Sequence, residues 1–399
     1  MNRLRIAMLT YSVRARGGPV HALEVSEALA RRGHEVELVA LGRPGEQFFR
    51  HPHVPARIIR HQPPDVPFDE RVQAMIAAYR DGLAESLPDR FDVMHAQDCL
   101  SANAALDLRE IGAVRHIIRT VHHVDAFRSP SLVACQNRSI VEPDALLCVS
   151  EPWVDFLGRE FGRGARLVGN GVDAARYRPA RDAAERRRDR AVAGLDGRLA
   201  VLTIGGIEPR KGSITLLDAF ARLRGLVPEL DPLLVVAGGA TLFDYRDEID
   251  RFHACAAELR VAPHVRVLGS LPPGDIERLY RAADLFALPS TKEGFGLVVL
   301  EALASRLPVV ASDLGVFRTF LEHGRSARLV PVGDAEALAR ELARLARDPG
   351  ERDRLRAGGE GVVAAHSWDA VAAAHERAYR ALLSQPGRTR GPVPAAPGA

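Results

Sequence analysis

The stretch Pro289 to Leu303 reads P-S-T-K-E-G-F-G-L-V-V-L-E-A-L and carries two glutamates, Glu293 and Glu301, eight positions apart. The apolar run 283–288 before it predicts a strand. A helix is predicted to begin near Gly296, which puts Glu293 in the preceding loop and Glu301 more than one turn inside the helix. Carboxylates accept hydrogen bonds from vicinal hydroxyls, and the free N–H groups of a helix start attract oxygen-rich groups. The pattern therefore indicates a site for a sugar or a ribose.

A purely structural interpretation of these glutamates is the alternative, with one acid beside a helix dipole and the other on a helix surface. The residues between them favour ligand binding. Gly294 and Gly296 flank Phe295, and glycines let backbone N–H groups approach a ligand closely. Leu297 follows at the predicted helix start and is included among the expected ligand-binding residues.

Lysine is scarce in this chain and marks a second loop. Of the 54 basic residues only Lys211 and Lys292 are lysines, and the rest are arginines. Lys211 lies in the segment Gly205–Gly212, G-G-I-E-P-R-K-G, between a predicted strand and a predicted helix. A compact ammonium group beside a helix N-terminus suits a phosphate, and arginine does not replace it equivalently. The loop is predicted to bind phosphate; the alternative is a surface turn.

Strands and helices alternate through two separate parts of the chain, which predicts two doubly wound parallel sheets. In the first part, a loop 12–19 containing Gly17 and Gly18 precedes a helix that ends near Arg32, with Gly33 as its left-handed cap. The G-x-G-x-x-G spacing of dinucleotide-binding proteins is absent from this loop. The predicted strands are 4–10, 34–41, 57–60, 91–95, 116–121, 145–149, 166–168, 200–204, 233–237, 264–268 and 284–288. The predicted later helices start at 213, 244, 273, 334, 352 and 367.

The chain resembles the retaining GT-B glycosyltransferases of family 4 over nearly its whole length. The resemblance rests on the E-x7-E spacing, on the lysine loop, and on N-G-V-D at 170–173 followed by Tyr177 and Pro179. The resemblance implies an α/β GT-B fold, with two Rossmann-like doubly wound parallel-sheet domains facing across a cleft. Residues 1–169 would form the acceptor-side domain and 173–366 the nucleotide-sugar domain. A final helix, 367–384, would cross back onto the first domain. The Pro, Gly and Ala-rich tail 385–399 is predicted to be disordered.

The resemblance also implies roles for particular residues. Lys211, Arg210, Gly205 and the pair Gly17 and Gly18 would bind the donor diphosphate. Glu301 would hold the ribose hydroxyls, and Glu293 with the amides of 294–296 would hold the sugar. Leu268, in the segment 268–270, would line the base pocket.

His122 matches the family histidine of the sugar and acceptor site, although His123 competes for the assignment and a structural role is the alternative. The expected catalytic residues are Glu293, His122 and Lys211.

Position 206 departs from the family pattern. The similar enzymes have G-R-x-x-x-x-K-G in the lysine loop, and Gly206 stands where their arginine stands. Either Arg210 or Arg16 could supply the missing cation, and the sequence does not decide between them.

The activity implied by the resemblance is transfer of a hexosyl group from a UDP- or GDP-sugar to an unidentified hydroxyl, with retention of configuration. The acceptor would be a small molecule, a glycan or a lipid. No D-x-D motif is present, so neither a metal nor a cofactor is expected. Two other functions stay open: a GT-B nucleotide-sugar 2-epimerase, and a nucleotide-sugar-binding protein that has lost activity.

The overall composition limits the partners and the cellular location that can be expected. The 399 residues are 47% hydrophobic and 26% charged, with a net charge of +3, so nucleic acid is not an expected partner. No apolar run reaches the roughly 18 residues that a bilayer requires. A cytoplasmic location is expected, and peripheral membrane contact stays open. The four cysteines show no close spacing and are expected to be reduced thiols.

Overall fold

The structure is a computed structural model that describes residues 3–85, 91–239 and 245–384. The chain divides into two compact units. Unit 1 comprises Met1–Asn170 and Trp368–Ala399, and unit 2 comprises Gly171–Ser367. The tail 385–399, predicted to be disordered, lies outside the described residues.

Each unit is built on a parallel sheet. The sheet of unit 1 has the strand order β3-β2-β1-β4-β5-β6-β7, and the sheet of unit 2 has the order β10-β9-β8-β11-β12-β13. Strands buried on both faces are almost continuously apolar, which explains why the sequence shows runs and not alternation. The strands are β1 (Arg5–Thr10), β2 (Glu35–Gly42), β3 (Ala56–Arg60), β4 (Val93–Ala96), β5 (Ile117–Val121), β6 (Ala145–Cys148), β7 (Ala165–Leu167), β8 (Ala200–Ile204), β9 (Leu233–Ala237), β10 (Val265–Gly269), β11 (Leu285–Leu288), β12 (Val309–Ser312) and β13 (Arg328–Val330).

Helices connect these strands, and the last helix returns to unit 1, where it packs against the first. The helices are α1 (Gly17–Arg31), α2 (Phe68–Ala84), α3 (Cys99–Glu110), α4 (Pro130–Val141), α5 (Glu151–Phe161), α6 (Ala183–Ala193), α7 (Ser213–Leu226), α8 (Arg246–Glu258), α9 (Pro273–Ala282), α10 (Leu297–Ala304), α11 (Gly315–Arg318), α12 (Ala335–Arg347), α13 (Pro349–Ala365) and α14 (Trp368–Leu383). Short 3-10 turns occur at Pro209–Lys211, Pro228–Leu230 and Ala262–His264. No helix within the described residues is long and apolar enough to span a bilayer.

The start of α1 differs from the prediction. The loop 12–19 is shorter than expected, because Gly17 and Gly18 are the first two residues of the helix. Pro19 follows them, and proline is compatible with the first turn because its missing N–H would have no partner inside the helix there. At the other end Gly33 has a φ of +92° and donates to the Ala30 carbonyl oxygen, as the predicted left-handed cap requires.

Helix α6 was not expected from the sequence, since its run of arginines has little apolar periodicity. It is capped by Asp182, whose carboxylate accepts from the Glu185 N–H. Two of its arginines, Arg186 and Arg190, form ion pairs with Asp284 at 2.6 and 3.0 Å. The Asp284 carboxylate also accepts from the Ala200 N–H at 2.9 Å, so it orients the start of β8. Asp284 therefore has a structural role.

Candidate active site

Lys211 and Glu293, 82 positions apart in the chain, form an ion pair in unit 2. Their Nζ and Oε1 atoms are 2.7 Å apart, and the side chains are 14% and 7% exposed. The Ser290 hydroxyl donates to the same carboxylate oxygen at 2.8 Å. Burial raises the pKa of Glu293, but the charges of Lys211 and Arg210 and the hydrogen bonds from Lys211 and Ser290 together lower it by more, so the net shift is downward. Charges held away from water in this way act more strongly on a ligand than surface charges do.

Arg210 lies beside this pair. Its Nη1 is 3.5 Å from Glu293 Oε2, and its Nε is 2.9 Å from Glu208 Oε2. Glu293 therefore has two cations from one loop as neighbours. Arg16, the other arginine considered as a replacement for the family cation, belongs to unit 1, where it donates to the Tyr11 hydroxyl at 2.9 Å. Within unit 2, Arg210 places a guanidinium next to Lys211 although position 206 is glycine.

Backbone contacts bring the lysine loop against the segment that carries Glu293. Gly212 has a φ of +67°, and a Cβ atom there would lie 2.0 Å from the Pro289 carbonyl oxygen, so a larger residue would push the two segments apart. The Thr291 N–H donates to the Arg210 carbonyl oxygen at 2.8 Å. These contacts explain how residues so distant in sequence meet.

Close backbone approach also accounts for the glycines after β8. At Gly205 a Cβ atom would lie 3.2 Å from Lys211 Cε, so the lysine side chain crosses over this glycine. At Gly206 it would lie 2.7 Å from the Gly239 carbonyl oxygen and 3.2 Å from the Glu208 carboxylate. A glycine is thus required at position 206 because a side chain would collide with its neighbours, and not because of its backbone conformation. The departure from the family pattern is built into the local packing.

The predicted base-pocket segment joins this group of glycines. Gly269 ends β10 with a φ of +66°, and Leu268 before it packs against the core of unit 2. A Cβ atom at Gly239 would lie 1.7 Å from Ser270 Oγ, so the serine occupies the space beside that glycine. The structure therefore brings the segment 268–270 close to the backbone next to Gly206.

Glu301 lies on the second turn of α10 and is oriented by a buried tyrosine. The Tyr280 hydroxyl donates to Glu301 Oε2 at 2.8 Å. Burial first, and the Glu301 charge second, hold the pKa of Tyr280 well above its usual value, so the phenol keeps its proton. One carboxylate oxygen of Glu301 thus has a fixed donor, which sets the direction of the other.

Helix α10 begins after Gly296, where a helix start was expected. Gly296 has a φ of +95°, and a Cβ atom there would lie 2.6 Å from the ring of Phe317. No side chain caps the helix, and its first turn, which starts at Leu297, holds no acid. The Phe295 ring stacks on Phe320 at 4.7 Å and is 6% exposed. The ring of Phe295 is therefore part of the core, and we expect Phe295 to contact a ligand only through its backbone, as Gly294 would.

In unit 1 the structure brings Gly18 and His122 together. A Cβ atom at Gly18 would lie 3.6 Å from Cδ2 of His122, whereas Gly17 has no neighbour that close. His122 directly follows β5 and is partly buried. His123 is exposed and lies 3.4 Å from the Asp125 carboxylate. The choice of His122 over His123 as a site residue stays a prediction, supported by this proximity to Gly18.

Sequence reasoning missed a cluster of polar residues around His122. It comprises His21, His95, Gln97 and His375, all buried. The His21 ring is 5.0 Å from the His122 ring, and His122 Nε2 is 2.9 Å from Gln97 Oε1. One signal was available in the sequence: Gln97 and His122 directly follow β4 and β5, and the carboxyl ends of neighbouring parallel strands meet at one edge of the sheet.

Metal-binding geometry is not seen in the described ranges 3–85, 91–239 and 245–384. No three or more His, Cys, Asp or Glu side chains there are grouped so that they could hold an ion. The cysteines in these ranges are free thiols.

Comparison with known protein families identifies the class. Residues 15–176 match Glycosyltransferase Family 4, and residues 185–361 match Glycosyl transferases group 1. The chain belongs to this family of glycosyltransferases. Its activity is therefore glycosyl transfer from a nucleotide sugar.

Two proteins with known names are similar to this chain over most of its length. The D-inositol 3-phosphate glycosyltransferase of Stackebrandtia nassauensis is 33% identical over 90% of this chain and 85% of its own length. The enzyme of the same name from Thermobispora bispora is 31% identical over 94% of this chain and 92% of its own.

Solved structures confirm the predicted GT-B fold. Sucrose-phosphate synthase from Thermosynechococcus elongatus superposes with a TM-score of 0.79 at 24% identity, over 96% of this chain and all of that one. Anabaena HepE in complex with UDP-glucose gives a TM-score of 0.75 at 20% identity, again over 96% of this chain and all of the other. At such identities the likeness concerns the fold alone.

Proposed function

We propose that this glycosyltransferase moves a hexosyl group from a nucleoside diphosphate sugar to an acceptor hydroxyl, with retention of the anomeric configuration and without a metal. The observation that carries the proposal is the buried pair of Lys211 and Glu293 with Arg210 beside it. This arrangement places two cations and a carboxylate in one small region. Cleavage of a sugar diphosphate needs both signs of charge, one for the departing phosphate and one for the anomeric carbon.

In this proposal Lys211 and Arg210 stabilise the charge that develops on the leaving diphosphate. The two residues supply positive charge that a metal would otherwise provide. Gly205 has no side chain, and the Lys211 side chain lies against it where a larger residue would crowd it. The N-terminus of α7, which Gly212 precedes and whose first turn holds no acid, adds a favourable dipole.

The two glutamates have different tasks in the proposal. Glu293, with the backbone amides of 294–296 and the start of α10 at Leu297, holds the sugar. Glu301, oriented by Tyr280, accepts hydrogen bonds from the ribose hydroxyls. Leu268 lines the base.

Unit 1 is proposed to be the acceptor side. His122 lines the position of the sugar and the acceptor, and Gly17 and Gly18, at the start of α1, approach the donor phosphates. The acceptor hydroxyl attacks the anomeric carbon from the face that the diphosphate leaves, the bond from that carbon to the diphosphate breaks, and the hydroxyl proton passes to the departing phosphate oxygen.

The first substrates to test follow from the similar proteins. Anabaena HepE has been solved with UDP-glucose, which puts UDP-sugars before GDP-sugars as donors. The relatives named D-inositol 3-phosphate glycosyltransferase put D-inositol 3-phosphate first among acceptors. Other small molecules, glycans and lipids with a free hydroxyl follow.

Donor binding is tested by thermal stabilisation with a panel of UDP- and GDP-sugars, since a ligand that binds the folded state raises Tm. The donor so identified is then incubated with acceptors, with and without EDTA, and the anomeric configuration of the product is read by NMR. Activity with EDTA and a retained anomer support the proposal. An inverted product, or activity that returns only with added metal, contradicts it.

The lysine clamp is tested separately with Lys211→Ala. Loss of a charged group at the leaving phosphate should cost about 2 to 4 kcal/mol in transition-state stabilisation. Arg222→Ala is a matched control, because Arg222 lies exposed on α7 and pairs with Asp218 of the same helix. Equal activity in both variants would show that Lys211 does not bind the leaving group.

A further inference from the structure

A chain of buried hydrogen bonds runs from His122 into the core of unit 1. His122 Nε2 is 2.9 Å from Gln97 Oε1, and Gln97 Nε2 is 3.0 Å from Met8 Sδ and 3.3 Å from His95 Nε2. His95 Nδ1 is 2.7 Å from the Tyr379 hydroxyl on α14. Gln97 is 2% exposed, and Met8 and His95 are fully buried. Each group in such a chain constrains the proton of the next.

The Met8 sulfur decides which way the Gln97 amide points. A thioether can accept a hydrogen bond but has no hydrogen to donate. With the amide nitrogen toward Met8, an N–H meets the sulfur. If the amide were reversed, its carbonyl oxygen would face the sulfur at 3.0 Å with no hydrogen between them. The amide oxygen of Gln97 is therefore directed at His122.

The orientation of Gln97 sets the proton of His122. An amide oxygen only accepts, so Nε2 of His122 must carry the hydrogen. A neutral imidazole has one donor and one acceptor nitrogen, which leaves the lone pair on Nδ1. The ring stays neutral, because burial and the neighbouring His21, His123 and Arg119 hold the pKa of His122 well below its usual value.

We infer that Gln97, held by Met8, is a positioning residue that fixes His122 as the Nε2–H tautomer, so that Nδ1 accepts a hydrogen bond from a hydroxyl of the ligand. The partner of Nδ1 is then an alcohol of the sugar or of the acceptor. A phosphate or carbonyl oxygen, which would need a donor, does not fit there. The ligand part of this inference rests on the proposed role of His122, and the tautomer part does not.

The surroundings of His122 favour the neutral ring. The titratable groups whose charges lower its pKa are His21 of α1, His123 of its own loop, Arg119 of β5 and His375 of α14. Burial lowers the pKa of His21 to about 4 and that of His375 to about 3. Near neutral pH His21 and His375 therefore carry no charge, and the tautomer of His122 is set by hydrogen bonds.

Long-range proton–nitrogen NMR of the ¹⁵N-histidine-labelled full chain tests the tautomer directly. It separates a protonated ring nitrogen from one with a lone pair. The signal of His122 is assigned by its loss in His122→Gln. The expected result is a protonated Nε2 and an unprotonated Nδ1 at neutral pH. A protonated Nδ1 in the unaltered protein would overturn the inference.

Two variants test the positioning role. In Met8→Leu the amide of Gln97 keeps its contact with His95 Nε2, which can donate or accept, but loses the sulfur, which only accepts. The signals of His122 should therefore move toward a mixture of tautomers. The volume of the side chain is nearly conserved, so the fold should persist. In Gln97→Glu a carboxylate, which only accepts, should keep the proton on Nε2. An unchanged His122 spectrum in Met8→Leu would show that the sulfur does not control the tautomer.

Kinetics separate this inference from the proposed function. Gln97→Met should lower kcat by roughly 10-fold, the value of one hydrogen bond, with little change in the KM of the donor nucleotide, and Gln97→Glu should restore part of the loss at neutral pH. If His122→Ala is fully active, the proposed role of His122 fails while the tautomer result stands. If His122→Ala is inactive but Gln97→Met is fully active, the positioning role of Gln97 fails.

Discussion

Replacing Lys211 by methionine should destabilise unit 2 because it leaves the Glu293 carboxylate buried without its nearest cation. Glu293 is 7% exposed, so water cannot take the place of the ammonium group. Breaking one partner out of a buried ion pair typically costs about 3 to 5 kcal/mol. The Ser290 hydroxyl and Arg210 at 3.5 Å remain, so we expect the lower end of that range.

The loss should depend on pH in a defined direction. In the unaltered protein the pKa of Glu293 is below its usual value, so its ionised form stabilises the fold above about pH 4.5, and this stability is lost as pH falls through the lowered pKa. In Lys211→Met the effect of burial should dominate and raise the pKa. The deficit should therefore be largest near neutral pH and disappear as pH falls through the lowered pKa of Glu293 in the unaltered protein.

Calorimetry measures the effect, and tryptophan fluorescence provides an internal reference. Both tryptophans of the chain, Trp153 and Trp368, lie in unit 1. A loss of about 3 kcal/mol in a unit of this size corresponds to a fall in Tm of roughly 6 to 12 °C. The double variant Lys211→Met with Glu293→Gln should regain stability, since a neutral amide needs no cation. A loss below about 1 kcal/mol with an unchanged pH slope would refute the reasoning.

Three further predictions concern other contacts. Gly206→Arg should lower both Tm and activity, because the added Cβ atom would lie 2.7 Å from the Gly239 carbonyl oxygen. Gly206→Ala should reproduce most of the loss in Tm. A gain of activity in Gly206→Arg would show that Arg210 does not replace the family cation. Glu301→Ala should mainly weaken nucleotide binding in calorimetric titration, whereas Glu293→Ala should mainly lower turnover; equal losses of nucleotide affinity would contradict the separate roles. Glu376→Gln should lower Tm above about pH 5 and have little effect near pH 2. Burial raises the pKa of Glu376, but Arg380 and Arg32 lower it by more and hold it at about 2. A deficit in Tm that does not depend on pH would contradict this.

Much of the fold and part of the site could be predicted from local sequence. Apolar runs separated by helical segments specify parallel strands, because strands buried on both faces must be apolar throughout. The helix start after Gly296 was predictable since a glycine can adopt the left-handed conformation found there. The spacing of Glu293 and Glu301 then placed one in a loop and the other one turn into α10.

Contacts between distant segments were decided only by the tertiary structure. The pairing of Lys211 with Glu293 depends on Gly212 packing against Pro289, which no local pattern reveals. The arginine-rich α6 was missed for a related reason, since the Asp182 cap and the ion pairs of two of its arginines with Asp284 outweigh weak local propensity there.

The environment of His122 shows this limit most clearly. The sequence alone determined that a histidine follows a buried strand, which made it a candidate. The tertiary structure decided its proton, because Gln97 comes from the neighbouring strand end and the Met8 sulfur from β1. Hydrogen-bond direction is a property of atoms brought together by folding, and it has no signature in the order of the residues.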